Sequence, residues 1–307
     1  MLYEGCTLFS ARDGDLYRRL YDAGRTEISD ACLISRVAWN AGFNYQKFQV
    51  GELLSLASDG GVFTTPHITW PVGHIANKNL KDLIDAVWPV FRQRDWPLRL
   101  MYVDEMDLPL LEQLPGYQAK ISFSPDFDDY LYDAESLRQL SGKALHGQRN
   151  QLNRFFRTYP DYVYQPLHSD DAEEALQLVQ TWCEERNLDC QDLCLSDYRA
   201  IRQAFVDYDQ LDIHGGTIRI GKKLVAFALG SLIRGDTAVI HFEKAAGDYV
   251  GLYAAINKLV VDYAFPDVRY VNREEDMGIE GLRRAKASYG PIRMIHKFEA
   301  ILSRPGE

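Results

Sequence analysis

The run Thr237–Gly247, TAVIHFEKAAG, sets His241 and Glu243 two residues apart among alternating apolar positions. Such alternation predicts a strand, where residues two apart share a face, so Ile240 and Phe242 turn the other way. An imidazole beside a carboxylate is equipped to take a proton from an attacking amine. Burial would raise the Glu243 carboxyl toward working pH. The same carboxylate would serve equally well as the structural partner of an arginine. Further on, Asn272, Glu274 and Asp276 follow a second expected strand, at the end where α/β sheets gather ligands. Acids beside an amide suit a cationic amine. Asp276 could instead cap the helix expected from Ile279, and Glu274 and Glu275 could simply be solvated.

Cationic side chains form a second set. Ser136–Pro160 holds no acid but carries Arg138, Lys143, Arg149, Arg154 and Arg157, and Gly281–Phe298 holds no acid but carries Arg283, Arg284, Lys286, Arg293 and Lys297. Lys143, Arg149 and Arg154 fall on one expected helix with Asn150 and Asn153 between them, a set suited to phosphate or carboxylate. A polar helix linking two domains would look the same. Arg283 and Lys286 are candidate anion contacts, although Glu280 is spaced to pair with Arg283 or Arg284 on a helix surface. The chain contains no Gly-rich P-loop, HExxH, GxSxG or paired CxxC, so ATP hydrolysis, zinc hydrolysis and hydride transfer have no support. Cys183, Cys190 and Cys194 cluster without histidine, so free thiols in a reducing cytoplasm are expected and no metal ligand set is.

These side chains need elements to hold them. The length, 307 residues, suits two domains. The net charge of −10 argues against broad binding to DNA or to anionic lipid, though not against a local basic surface. No stretch is long and apolar enough to be an integral membrane segment, and the opening MLYEGCTLFS lacks the pattern of a leader, so a cytoplasmic location is expected. Periodicity predicts helices over Leu16–Tyr21 and Asp30–Trp39 and three strands over Phe43–Val50, Glu52–Ala57 and Gly61–Pro66. Helix Leu80–Arg92 follows, with Asn77 or Asn79 as its cap, then strand Leu98–Val103, helix Met106–Leu114 and strand Tyr117–Phe123. After a packed connection over residues 126–160, the same order recurs from Tyr162 to the C-terminus. It includes strands Leu211–Ile220, Leu224–Ile233 and Thr237–Lys244, helix Val250–Phe265 and strand Val268–Asn272.

This order resembles the GCN5-related N-acetyltransferase (GNAT) fold, repeated in tandem as in the Fem aminoacyltransferases and the C-terminal domain of phosphatidylglycerol lysyltransferase. Gly142–Phe155, GKALHGQRNQLNRF, and Val271–Tyr289, VNREEDMGIEGLRRAKASY, resemble the two signatures of an uncharacterised bacterial family related to that domain. The resemblance implies an α/β (α+β) fold of two GNAT-like units, residues 1–125 and 161–307, each a mixed sheet flanked by helices. It also implies an acyl or aminoacyl donor, acyl-CoA or charged tRNA. One departure bears on the donor. Where acetyl-CoA users have a basic or amide residue and small residues before the third helix, this chain has Asp248-Tyr249-Val250-Gly251-Leu252-Tyr253, with a carboxylate and a phenol crowding the place of a pyrophosphate. The expected activity is transfer of an acyl or aminoacyl group to an amine or hydroxyl, with Glu243 and His241 at the reaction centre. The alternatives are a non-catalytic module binding a small anion or a protein, and a lipid transferase in peripheral contact with a membrane.

Overall fold

Apolar periodicity decides most of the elements in the computed structural model, which describes residues 7–306. The first six residues, including Cys6 and part of the stretch read for a leader, lie outside it. The contacts divide the chain into two units, residues 1–125 with 296–307, and residues 126–295.

The first unit begins with β1 (Thr7–Leu8), α1 (Gly14–Ala23), α2 (Leu33–Ala38) and α3 (Asn40–Phe43). It continues with β2 (Gln46–Val50), β3 (Leu53–Ser58), β4 (His67–Thr69), α4 (Asn77–Gln93), β5 (Leu98–Asp104), α5 (Leu108–Glu112) and β6 (Gln118–Phe123). The third strand lies later than the expected Gly61–Pro66: those residues are a turn, because Gly60 and Gly61 hold positive φ and Gly61 packs against the backbone of Gly42. The face of α4 read from the sequence is the buried one, Leu80, Leu83, Ile84, Val87 and Trp88 with Phe91. Its cap position is Ala76, and Asn79 contributes by accepting the Ala76 N–H at 2.8 Å.

The second unit runs β7 (Asp129–Asp133), α6 (Ala134–Gln139), α7 (His146–Thr158), β8 (Val163–Pro166), α8 (Ala172–Glu184), α9 (Tyr198–Val206), α10 (Tyr208–Leu211), β9 (His214–Ile220), β10 (Lys223–Ile233) and β11 (Thr237–Ala245). Then come α11 (Leu252–Tyr263), β12 (Tyr270–Asn272), α12 (Glu280–Ala287) and β13 (Arg293–Ile295). The last strand, β14 (Lys297–Ser303), belongs to the first unit, where it pairs with both β5 and β6. The two sheets run β1-β2-β3-β4-β5-β14-β6 and β13-β7-β12-β11-β10-β9-β8. Each has one parallel pair, β4 with β5 and β11 with β12, and antiparallel neighbours elsewhere. A helix, α4 or α11, joins each parallel pair, as a parallel crossover requires. The tandem GNAT-like layout is thus present, with an exchange: β14 completes the first sheet between β5 and β6, and β7 completes the second between β12 and β13.

In the second unit the helix that follows β11 is the centre of the core. Leu252, Ala255, Ile256, Leu259 and Val260 of α11 are buried with Ala226 and Ala228 of β10 and with Leu152 and Phe155 of α7. Full burial of each large aliphatic side chain contributes roughly 1.5–3 kcal/mol. Lys258 and Asp262, one turn apart and 2.8 Å from each other, mark the wetter side.

Candidate functional site

β11 is nine residues long, but only Thr237, Ala238 and Val239 pair with β12. β12 ends at Asn272, so from Ile240 onward β11 has no parallel partner strand, and this opening in the pairing faces the loop that follows β12. A β-bulge marks the point of departure. Leu229 pairs with Phe242 while the next residue, Gly230, pairs with Ile240, which leaves His241 as the extra residue. A bulge turns the strand and re-aims the side chain it carries. His241 and Glu243 both lie in the half of β11 beyond β12, and both are bridged from the loop: Glu274 Oε1 stands 2.8 Å from His241 Nδ1, and Arg273 Nη2 donates to Glu243 Oε1 at 3.3 Å.

His241 sits in a chain of three polar groups, with its Nε2 2.8 Å from Ser231 Oγ on β10. Burial pulls the imidazole down to about 3, so it is neutral near pH 7. In the neutral tautomer that serves both neighbours, Nδ1–H donates to the Glu274 carboxylate and Nε2 accepts from the Ser231 hydroxyl. Glu274 holds a left-handed backbone, φ 58°, which a glutamate adopts only when its surroundings impose it. Two contacts impose it: the Glu274 N–H donates to Asn272 Oδ1 at 2.8 Å, and the Glu274 carbonyl accepts from Lys286 Nζ at 3.0 Å.

Glu243 is held on two sides, by Arg273 and by Asn257 Nδ2 of α11 at 3.2 Å. Arg273 lies against the rings of Tyr289 and Tyr132, at 5.0 and 5.9 Å, and its Nη1 is buried without a hydrogen-bond partner. Burial, the largest influence, would lower its pKa; Glu243, Tyr132 and Tyr289 together outweigh it and raise it. The structural alternative for Glu243, pairing with an arginine, is therefore realised.

The other expected site residues fall into two groups. Asn272, Glu274, Asp276, Arg283 and Lys286 come together as the frame of the loop. Asn272 is fully buried and donates to Asp129 Oδ2 at 3.0 Å. Arg283 grips Asp276 through Nε and Nη2, at 2.9 and 2.8 Å, and Tyr130 donates to the same carboxylate at 2.6 Å. The Arg283 bonds come first among the causes that hold Asp276 down at about 2. Asp276 is not the cap of α12, whose cap position is Ile279; its Oδ1 accepts instead from Gly278 N–H. Lys286 Nζ donates to the carbonyls of Arg273, Glu274 and Glu275, and burial brings it down to about 8. These side chains shape the loop and leave little over for a cationic ligand.

Lys143, Arg149, Asn150 and Arg154 lie apart from that frame, on and just before α7. Arg149 donates to the carbonyls of Leu140 and Gly142, finishing α6. Lys143, Asn150 and Arg154 are exposed. Asn150, Asn153, Phe156 and Arg157 line an open depression of about 460 Å³ on this helix. The buried side of α7 covers the start of α11. A Cβ on Gly251, φ 74°, would meet the Gln151 carbonyl oxygen at 2.2 Å, and Tyr159 Oη accepts the Val250 N–H at 3.4 Å.

Four participants were not singled out from the sequence. Arg273 sits inside the acid loop, and its charge was masked by its neighbours. Asn257 is a lone amide among the apolar residues of α11, which is a readable signal. Ser231 and Asp129 become visible only once strand register is known.

The family model for the C-terminal domain of phosphatidylglycerol lysyltransferase matches residues 62–301, which spans both signature stretches and the whole opening. The chain belongs to this lysyltransferase C-terminal family. A conserved protein of unknown function from Bacteroides thetaiotaomicron is similar to it over 97% of this chain and 99% of that one, at 28% identity and a TM-score of 0.88. L-PGS from Bacillus licheniformis is similar in fold over 99% of this chain and 95% of that one, at 13% identity and a TM-score of 0.67. FemX is similar in fold over 96% and 97%, at 9% identity and a TM-score of 0.63. Membership in the lysyltransferase family fits the acyl- and aminoacyltransferase-like architecture. Among the described residues no helix is long and apolar enough to cross a membrane.

Proposed function

We propose that the chain is an acyl- or aminoacyltransferase, working in the opening beside β11, past the end of β12. The observation that supports this reading is that β11 runs past the end of β12 from Ile240 onward, where Glu274 and Arg273 of the following loop bridge to His241 and Glu243. An activated ester placed there would meet a neutral imidazole, a carboxylate and a guanidinium in a partly dry site, where fixed charges act strongly. Holding donor and acceptor in line would supply most of the rate, with Glu243 or a water it orients receiving the proton of an attacking amine. Lys143, Arg154 and Arg157 on the α7 side would meet the phosphates of the donor, which favours an aminoacyl ester on RNA. Acyl-CoA is the poorer fit, because α7 closes on the start of α11, where a pyrophosphate would need free amides.

The test is transfer of labelled amino acid from charged tRNA, or of acetyl from acetyl-CoA, to amine and hydroxyl acceptors. Glu243→Gln is expected to lower turnover about 10²-fold and, by leaving Arg273 without its carboxylate, to lower the melting temperature as well, so turnover is compared below the melting transition of the variant. Unchanged turnover would remove Glu243 from the chemistry. The closed start of α11 also favours a second reading, a non-catalytic module that keeps the opening for a small anion or a protein. Neither product formation nor a shift in melting temperature with either donor would point there. A lipid acceptor presented on vesicles distinguishes the third reading, in which the protein works in peripheral contact with a membrane.

A further inference from the structure

We propose that Cys183 and Cys190 form a modification site: a hydroperoxide oxidises them to a disulfide that ties the segment after α8 back onto that helix. Both are free thiols, with Sγ atoms 2.7 Å apart. The local sequence brings them together. α8 ends at Glu184, Asn187 takes a left-handed backbone (φ 54°), and the N–H groups of Arg186 and Leu188 both donate to the Cys183 carbonyl at 3.0 Å. Such an ending reverses the chain. Cys190 therefore returns alongside the helix, with its Sγ 3.8 Å from the Val179 carbonyl oxygen. Nothing in this chemistry depends on what the protein transfers.

Two features set the pair apart from thiols that only fill space. Buried free cysteines usually act as small apolar groups. Here the sulfurs face each other, close enough for a bond to need only a small turn of the side chains, and both meet a polar neighbour: Ser196 Oγ lies 3.3 Å from Cys183 Sγ and 3.8 Å from Cys190 Sγ. Access is also unequal. Cys183 is buried at 1% exposure and Cys190 is half-buried, so an oxidant from solvent meets Cys190 first and Cys183 attacks from within. A resolving thiol so placed turns a sulfenic acid into a disulfide before it oxidises further. The bond would reach beyond the pair. Ser196 precedes Asp197, whose Oδ2 pairs with Lys244 Nζ at 2.9 Å, and Lys244 follows Glu243 on β11.

The atoms and electrons balance. The Cys190 sulfur attacks one oxygen of the hydroperoxide, the O–O bond breaks, and water or an alcohol leaves with the thiol proton. The Cys183 sulfur then attacks the sulfenic acid on Cys190. The S–S bond forms, and the hydroxyl leaves as water with the Cys183 proton. The two thiols lose two electrons and the peroxide gains them. Burial first, and then the hydrogen bond with Cys183, pushes the Cys190 thiol up to about 12. Little thiolate is therefore present near pH 7, and closure answers sustained exposure rather than a brief pulse. A dithiol reverses it.

The experiment exposes the whole native protein to hydrogen peroxide over hours, blocks the remaining thiols with iodoacetamide in urea, and digests with trypsin without reduction. Cleavage after Arg157, Arg186 and Arg199 puts Cys183 on one peptide and Cys190 with Cys194 on the next. The expected product is these two peptides joined, lighter than their sum by two hydrogens, with fragmentation placing the bond at Cys190 and dithiothreitol releasing it. The melting temperature of the oxidised protein is expected to rise by about 5 °C, as a bond closing a short loop gives. Cys194→Ser should show both changes, and Cys190→Ser and Cys183→Ala neither; thermal melts identify any variant that has unfolded. Cys183 and Cys190 that remain unlinked after the exposure, whether still reduced or carried on to sulfinic acid, overturn the proposal, as does a bond from Cys183 to Cys194. A bond that forms without raising the melting temperature also overturns it, because the sulfurs would then pair only by displacing the native loop.

Discussion

Two histidines are buried without charge, and both resist protonation. His241 is drawn down to about 3 and His67, in the first unit, to about 4, by burial in each case. His67 is fully buried beside Phe43 and Tyr45, with Nδ1 2.9 Å from the Thr65 carbonyl and Nε2 without a partner. In the unfolded chain each titrates near 6.5, so below that pH the unfolded state binds the additional protons. Stability is complete above about pH 6.5 and falls as pH drops toward the folded values. Between pH 7.5 and 5 each histidine should remove about 2 kcal/mol. Urea titrations at several pH values check this, and His67→Gln is expected to flatten roughly half of the slope. A slope unchanged by the substitution would show that His67 titrates in the native state as it does in the unfolded chain.

Glycine at the start of α11 is where an element depends on one missing methyl group. Gly251→Ala would force a left-handed alanine and drive its Cβ into the Gln151 carbonyl, so that α7 must move off α11. A loss of at least about 2 kcal/mol is expected. Gly235→Ala, also at positive φ (72°) but in open space, should lose only about 1 kcal/mol. Equal losses would show that the close approach to α7 is unimportant. This contact also shows how far a sequence can be read. The helix, its apolar face and the crowded approach to it were visible in Asp248–Tyr253, since period and residue size are local properties. That the crowding comes chiefly from α7 was not visible, because it depends on packing between segments about a hundred residues apart. The same division holds at the opening. Alternation in Thr237–Lys244 predicts His241 and Glu243 on one face, but the bulge at His241 shifts the phase, so that Glu243 meets Asn257 of α11 while His241 meets Ser231; the bulge arises from pairing with β10, which leaves no local mark. The acid loop Asn272–Asp276 was located, yet the Asp276 and Glu274 carboxylates turn inward onto Arg283 and His241 and Lys286 binds the loop carbonyls, partners that only the folded loop reveals.

At the scale of the whole chain, the order of elements was legible as a repeat because each element is set by its own period. The exchange of strands was not, since β6 and β13 are each followed by a strand whose pattern fits either sheet. A fragment comprising residues 1–125 retains β5 and β6 but lacks the strand that pairs with both. It is expected to give no cooperative melting transition, and a peptide covering residues 296–307, added in trans, to restore one. A cooperative transition in the fragment alone would show that β14 is dispensable. The arrangement also imposes an order on biosynthesis. The half of the protein made first waits for the half made last: β5 and β6 emerge from the ribosome with their pairing edges open, and the segment that closes them is translated on the order of ten seconds later. During that interval nascent chains on one message carry the same unpaired edges, so holding chaperones and dilute expression should raise the yield of native protein more than any change to the finished fold.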